Sequence, residues 1–149
     1  MLATLSIRDI VLIEKLDLTL SEGLTVLTGE TGAGKSILLD AVSIALGGRG
    51  DGALVRHGLP KGQVTLTFDL SPDHPAHSIL AAAELPDEGP LVVRRIQMAD
   101  GRTRASVNEE SVSVQTLRLI GASLIELHGQ HDDRALVDPA SHRAVIDAF

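Results

Sequence analysis

The sequence has 149 residues, 44% apolar and 22% charged, the size and composition of one folded globular domain. It has no Cys, Trp or Tyr, and its only Phe residues are Phe68 and Phe149, which excludes disulfide scaffolds, thiol catalysis and Cys-ligated zinc and argues against base stacking on aromatic side chains. Thirteen Lys and Arg stand against 20 Asp and Glu, a net charge of −7, which argues against a broad nucleic-acid surface over the whole chain and leaves a local basic patch open.

Every apolar stretch is broken well short of 18 residues, so no membrane span is expected. Residues 1–10 lack a basic n-region and an A-x-A cleavage site, and a cytoplasmic protein is expected. Leu2, Leu5 and Ile7, then residues 10–13, predict a first strand with a turn near Arg8-Asp9. Leu16, Leu18 and Leu20 alternate with Asp17 and Thr19, the period of a half-buried strand. Residues 24–28 are short and β-rich and predict a strand that ends at Gly29. Residues 35–46 predict a helix that is apolar on nearly all faces and ends at Gly47-Gly48.

Residues 49–62 are Gly-rich and polar, and predict a loop. Val64, Leu66, Phe68 and Leu70 alternate with polar residues and predict another strand. A short helix is expected from the Ser71-Pro72 region through Ala83. Residues 91–97 and 103–107 predict a hairpin around Asp100-Gly101. Val114, Leu117 and Ile120 predict a helix stopping at Gly121, and residues 124–127 a short strand. Pro139 opens a last predicted helix that runs to Phe149 without a stop signal, the pattern expected of a fragment.

The chemistry concentrates in Gly29-Glu30-Thr31-Gly32-Ala33-Gly34-Lys35-Ser36, which fits G-x-x-x-x-G-K-[ST] at every fixed position. The glycines let the backbone wrap close to phosphate, successive N–H groups form an anion nest, and the helix start adds its positive dipole end. Lys35 is placed to reach the β- and γ-phosphates, and the Ser36 hydroxyl to bind Mg²⁺, a hard cation that prefers oxygen. The alternative is an ordinary Gly-rich turn. Hydrolysis also needs a carboxylate for Mg²⁺ and a group that positions water. The residues available are Asp69, Glu126 and Asp132, none on a clear buried strand, so the catalytic half is expected to be missing.

The run of residues 23–41 resembles the start of the RecN family, bacterial DNA-repair ATPases related to the structural-maintenance-of-chromosomes (SMC) proteins. Gly101-Arg102-Thr103-Arg104-Ala105 is similar to that family's second hairpin. Leu127-His128-Gly129-Gln130-His131-Asp132 resembles its His-Gly-Gln-His segment, and Asp147-Ala148-Phe149 the residues before its coiled coil. The resemblance covers essentially all 149 residues.

It implies an α/β P-loop NTPase fold of ABC/SMC type. Residues 1–149 would be the N-terminal half of an ATPase head, its first lobe, with a mixed sheet and an antiparallel β portion. The sequence has no Leu-Ser-Gly-Gly signature and no coiled-coil heptads, so the coiled coil and the C-terminal half of the head would lie outside it. The implied ligands are ATP and Mg²⁺. Gln130 falls at the Q-loop position, where its amide oxygen would meet Mg²⁺ or its water. The implied partners are DNA, the chain's own C-terminal head half and a second ATP-bound head. The implied setting is the nucleoid during repair. ATP binding without efficient hydrolysis is expected of this chain alone.

Weaker signals have plain alternatives. Arg94, Arg95, Arg102 and Arg104 gather around the hairpin, as candidate DNA-backbone contacts or as a solvated hairpin with local ion pairs; alternation puts Arg94 and Arg95 on opposite faces. By the same resemblance, Arg49 or Arg56 would approach the phosphates and Arg8 a base, against a default of solvent exposure. The pairs His74/His77 and His128/His131 lack a third ligand in a fixed frame, and hydrogen-bonded histidine is the simpler reading. Glu109-Glu110 and Asp132-Asp133 read as solvated loops. The rival functions are a P-loop kinase, a GTPase (no Asn-Lys-x-Asp base reader is present), a transporter ATPase subunit and a non-hydrolysing interaction module.

Overall fold

Alternation of apolar and polar residues builds one sheet with an apolar face and a polar face. A computed structural model describes residues 1–28 and 33–127. The strands are β1 (Leu2–Ile10), β2 (Ile13–Thr19), β3 (Lys61–Phe68), β4 (Leu91–Met98), β5 (Thr103–Val107) and β6 (Glu110–Val112). They lie in the order β2-β1-β3-β4-β5-β6, and every pairing among the described residues is antiparallel. This is the antiparallel portion of the expected fold.

Among the described residues, three helices cover one face: α1 (Ala33–Ala45), α2 (Ala76–Ala82) and α3 (Val114–Leu124). Leu5 and Ile7 of β1, Val64, Leu66 and Phe68 of β3, Leu91 and Val93 of β4, and Ala105 and Val107 of β5 point towards them. Ile37, Ala41, Val42 and Ala45 of α1, Leu80 of α2, and Leu117 and Ile120 of α3 complete this core. Among the described residues its only aromatic ring is Phe68, 1% exposed. Each fully buried aliphatic or Phe side chain stabilises the fold by about 1.5–3 kcal/mol, so the aliphatic composition is sufficient for a core of this breadth.

Six local expectations are corrected. The turn after β1 falls at Val11-Leu12 and not at Arg8-Asp9. Asp9 takes φ 53° without ending the strand, because its carbonyl accepts the Arg56 N–H at 2.9 Å. Residues 24–28 form no strand, and Leu24, Val26 and Leu27 are 93%, 69% and 51% exposed. The loop after α1 contains a 3-10 turn, Gly52–Leu54, capped by the Asp51 side chain, which accepts the Ala53 N–H. Glu110 lies in β6 and not in a solvated loop. Gly121 does not stop α3 but sits inside it, where the α1–α3 contact leaves no space for a Cβ beside the Leu46 carbonyl. With α3 extended to Leu124, residues 125–127 form no strand.

Candidate nucleotide-binding site

The phosphate motif straddles the start of α1. Gly34, Lys35 and Ser36 lie in its first turn and are exposed, and nothing stands within 4 Å of where a Gly34 Cβ would be. The first turn carries no acidic residue. The first N–H groups of a helix have no partner within it and carry its positive dipole end, and here the first turn adds no carboxylate of its own, an arrangement suited to an anion. A triphosphate with Mg²⁺ fits this donor set: an ammonium and a hydroxyl side by side on an open helix start. Ala33 opens the helix. Gly29, Glu30, Thr31 and Gly32 lie outside the described residues, as do Gln130, His128, His131 and Asp132.

The other end of α1 is held by two guanidinium groups. Arg95 Nη1 donates to the Ile44 carbonyl oxygen at 3.1 Å, and Arg118 Nε and Nη2 donate to the Gly47 carbonyl oxygen at 3.3 and 3.2 Å. Cations at a helix C-terminus oppose the negative end of its dipole. Arg95 also donates through Nε to Thr103 Oγ1. Burial lowers the Arg95 pKa below the ordinary arginine value, and the charge of Arg118 lowers it further.

Segment 125–127 follows α3 back towards α1. Ile125 and Leu127 share a groove of about 240 Å³ with Ser43, Leu46, Gly47 and Gly48. The residues that lead to Gln130 therefore run beside the C-terminal half of the helix whose start carries Lys35.

The candidate DNA contacts separate. Arg95 is 2% exposed and faces the helices, so it is not available to a DNA backbone. Arg102 is exposed but ion-paired with Asp100, Nη2 to Oδ2 at 2.6 Å. Arg94 and Arg104 both point away from the helices, on the open face of the sheet. Arg8 is paired with Asp17 at 2.8 Å, and Arg56 with Glu14 at 3.4 Å and Asp9 at 3.8 Å. Arg49 is exposed and lines a cavity of about 500 Å³ with Gly50, Asp51, Gly52 and Gly101.

The histidines of the 74/77 pair have structural partners. His74 Nδ1 accepts the Ala76 N–H, and His77 lies between Asp87 and the Ser71 carbonyl. Asp69 is exposed after β3, its backbone tied to Met1, and Glu126 is exposed. Among the described residues, no three His, Asp or Glu side chains gather as a metal site. A residue that sequence reasoning passed over is Gln97, 1% exposed, whose Nε2 donates to the carbonyls of Met98 and Arg102 and holds the β4–β5 turn. Its place in the period of β4, two after Arg95, was the available signal.

Residues 4–126 match the AAA domain family. The chain belongs to that family. Over its whole length this AAA domain is also similar to the DNA repair protein RecN of Bacillus subtilis (42% identical over 151 residues) and of Halalkalibacterium halodurans (41% over 150), spanning 26% of each relative. At 22% identity it shares its fold with an Smc head domain with coiled coil and joint from Pyrococcus yayanosii, TM-score 0.73, covering 98% of this chain and 31% of that one. The recombination mediator protein RecF in its ATP form is similar at TM-score 0.62 and 18% identity, covering 99% of this chain and 38% of that one. The fold is that of the SMC-type P-loop ATPase heads, as the resemblance implied.

Proposed function

We propose that this chain is the nucleotide-binding half of an SMC-like DNA-repair ATPase head. The observation that carries the reading is the exposed Lys35-Ser36 pair on a carboxylate-free helix start, directly after the Gly-rich run. The similarity to RecN proteins over the whole chain supports the repair context. Lys35 would pair with the β- and γ-phosphate oxygens of ATP, and Ser36 with Gln130 would supply oxygens to Mg²⁺. The metal, when bound, neutralises charge on the phosphates.

The chain's contribution is binding and sensing. Water activation falls to residues outside it: Asp69, though it follows the buried end of β3, is itself exposed, as is Glu126, and Asp132 lies outside the described residues. Leu24, Val26 and Leu27 present an apolar strip directly before the phosphate motif. In the complete protein this strip is covered by the C-terminal half of the same head. Two ATP-bound heads then pair, and DNA is engaged by the assembled protein in the cytoplasm, at the nucleoid. Among the described residues, no helix is long and apolar enough to cross a membrane.

Titration with Mg-ATP tests the reading, with Lys35→Ala in parallel and GTP as competitor. Saturable ATP binding, lost in Lys35→Ala and poorly competed by GTP, is the expected result. Equal affinity of wild type and variant overturns it, and preference for GTP favours a GTPase.

A further inference from the structure

The sheet face turned away from α1 carries a small cationic pocket. In β4, Val93, Arg95 and Gln97 point to the helices, so Arg94 and Ile96 point to the open face. The register sets Arg94 opposite Ser106 of β5, and Ser106 opposite Ser111 of β6. Arg104 lies opposite Ile96 and two residues from Ser106, on the same face. Together these side chains line a cavity of about 160 Å³, with Glu109 at its side.

Most arginines of the described residues are already engaged. Arg8, Arg56 and Arg102 have carboxylate partners, and Arg95 and Arg118 donate to carbonyls at the end of α1. Arg94 and Arg104 make no ion pair or hydrogen bond among the described residues, with Glu109 or any other group. The Arg94 Nε is buried and has no acceptor. An unmet buried donor is costly, and an incoming acceptor removes that cost.

We propose that Arg94, Arg104, Ser106 and Ser111 form a seat for one backbone phosphate of duplex DNA. This rests on the DNA-repair reading above and gives it a surface. Two guanidinium forks and two hydroxyls match the oxygens of a phosphodiester. The phosphates of ATP are a poor match for the seat, because α1, which carries Lys35, packs on the opposite face of the sheet. The seat lies on an open sheet, not in a closed cleft, and so suits a long polymer. Lys15 and Arg8 stand on the same face, in register with each other and with Gln63 of β3. In a chain of net charge −7, the Arg94/Arg104 pair, which has no carboxylate partner among the described residues, is a local attraction for a polyanion.

The test is fluorescence anisotropy of a short labelled duplex with the complete protein over a series of salt concentrations. Arg94→Gln/Arg104→Gln is expected to weaken binding roughly tenfold and to make the slope of log K against log salt shallower by about 1 for each phosphate no longer neutralised. Arg102→Gln, in the adjacent turn, is expected to leave both unchanged. Arg94→Lys/Arg104→Lys is expected to keep the slope. Wild-type binding that the double Gln variant retains at the same slope overturns the seat and leaves the DNA reading standing. A wild-type protein that does not bind the duplex overturns the DNA reading, and the seat with it. Should the double variant fail to fold by its thermal melt, exposed Arg104→Gln alone decides: a slope shallower by about 1 supports the seat, and an unchanged slope overturns it.

Discussion

Arg95 Nη1 lies 3.1 Å from the Ile44 carbonyl oxygen, which joins a strand of the sheet to the last turn of the helix whose first turn carries Lys35 and Ser36. The guanidinium is buried and has no carboxylate partner among the described residues. Its long stem fills space between β4 and α1, while its charge bears a desolvation cost and repulsion from Arg118.

Those two effects can be separated. Arg95→Ala removes the stem and is expected to cost about 2–4 kcal/mol, read by denaturant unfolding. Arg95→Met keeps the volume and removes the buried charge, and is expected to cost less than about 1 kcal/mol. A Met variant as damaged as Ala would mean that the hydrogen bonds to Ile44 and Thr103 carry the energy.

Gly121 sets helix propensity against packing. Gly→Ala within a helix favours folding by about 1 kcal/mol. Here the added Cβ meets the Leu46 carbonyl oxygen and Cβ well inside van der Waals contact. Backbone cannot give as a flexible side chain does, so Gly121→Ala is expected to destabilise by about 1–3 kcal/mol. A raised melting temperature would contradict the close α1–α3 approach.

How far the sequence was readable follows from such positions. Strict alternation made β3, β4 and β5 legible, and it placed Arg94 and Arg95 on opposite faces. It could not disclose that the inward arginine meets a helix carbonyl 51 positions away. Gly121 read as a stop signal because glycine both ends helices and permits close helix contact, and only tertiary structure distinguishes the two. Glu110–Val112 was missed because three residues hold too little periodicity to register as a strand. Residues 24–28 have the composition of a strand, but a strand needs neighbours to bond, and none of the described residues supplies them. Lys35 and Ser36 stand out because the motif fixes residue types at fixed spacing, and the structure places both in the first turn of α1.

His77 predicts a pH dependence. Its Nδ1 lies 2.7 Å from Asp87 Oδ2 and its Nε2 lies 2.9 Å from the Ser71 carbonyl oxygen. Both neighbours accept, so only the doubly protonated ring satisfies both. The Asp87 hydrogen bond first, and the Ser71 carbonyl second, raise its pKa above 6.5. With the folded-state value raised, the contribution is fully present below the unfolded-state value and is lost as pH rises through the folded-state value. The melting-temperature difference between wild type and His77→Gln is therefore expected to be larger near about pH 5.5 than near about pH 8.5. A difference that grows with pH would contradict the bridge.

The strip before the phosphate motif predicts a contrast between contexts. Val26 is 69% exposed, so Val26→Asp in this chain alone is expected to change stability by no more than about 0.5 kcal/mol. In the complete protein the same carboxylate would be buried against the other half of the head and is expected to cost several times more, read as a lower melting temperature. Equal effects in both would contradict coverage of the strip.

The most direct test of the central claim is phosphate release from saturating Mg-ATP by this chain alone, alongside an ATP-binding titration and a Lys35→Ala control. Binding that requires Lys35, with no turnover above the uncatalysed rate, is the predicted result. Turnover that disappears in Lys35→Ala would place the water-activating group within these 149 residues and contradict the reading of half an ATPase head.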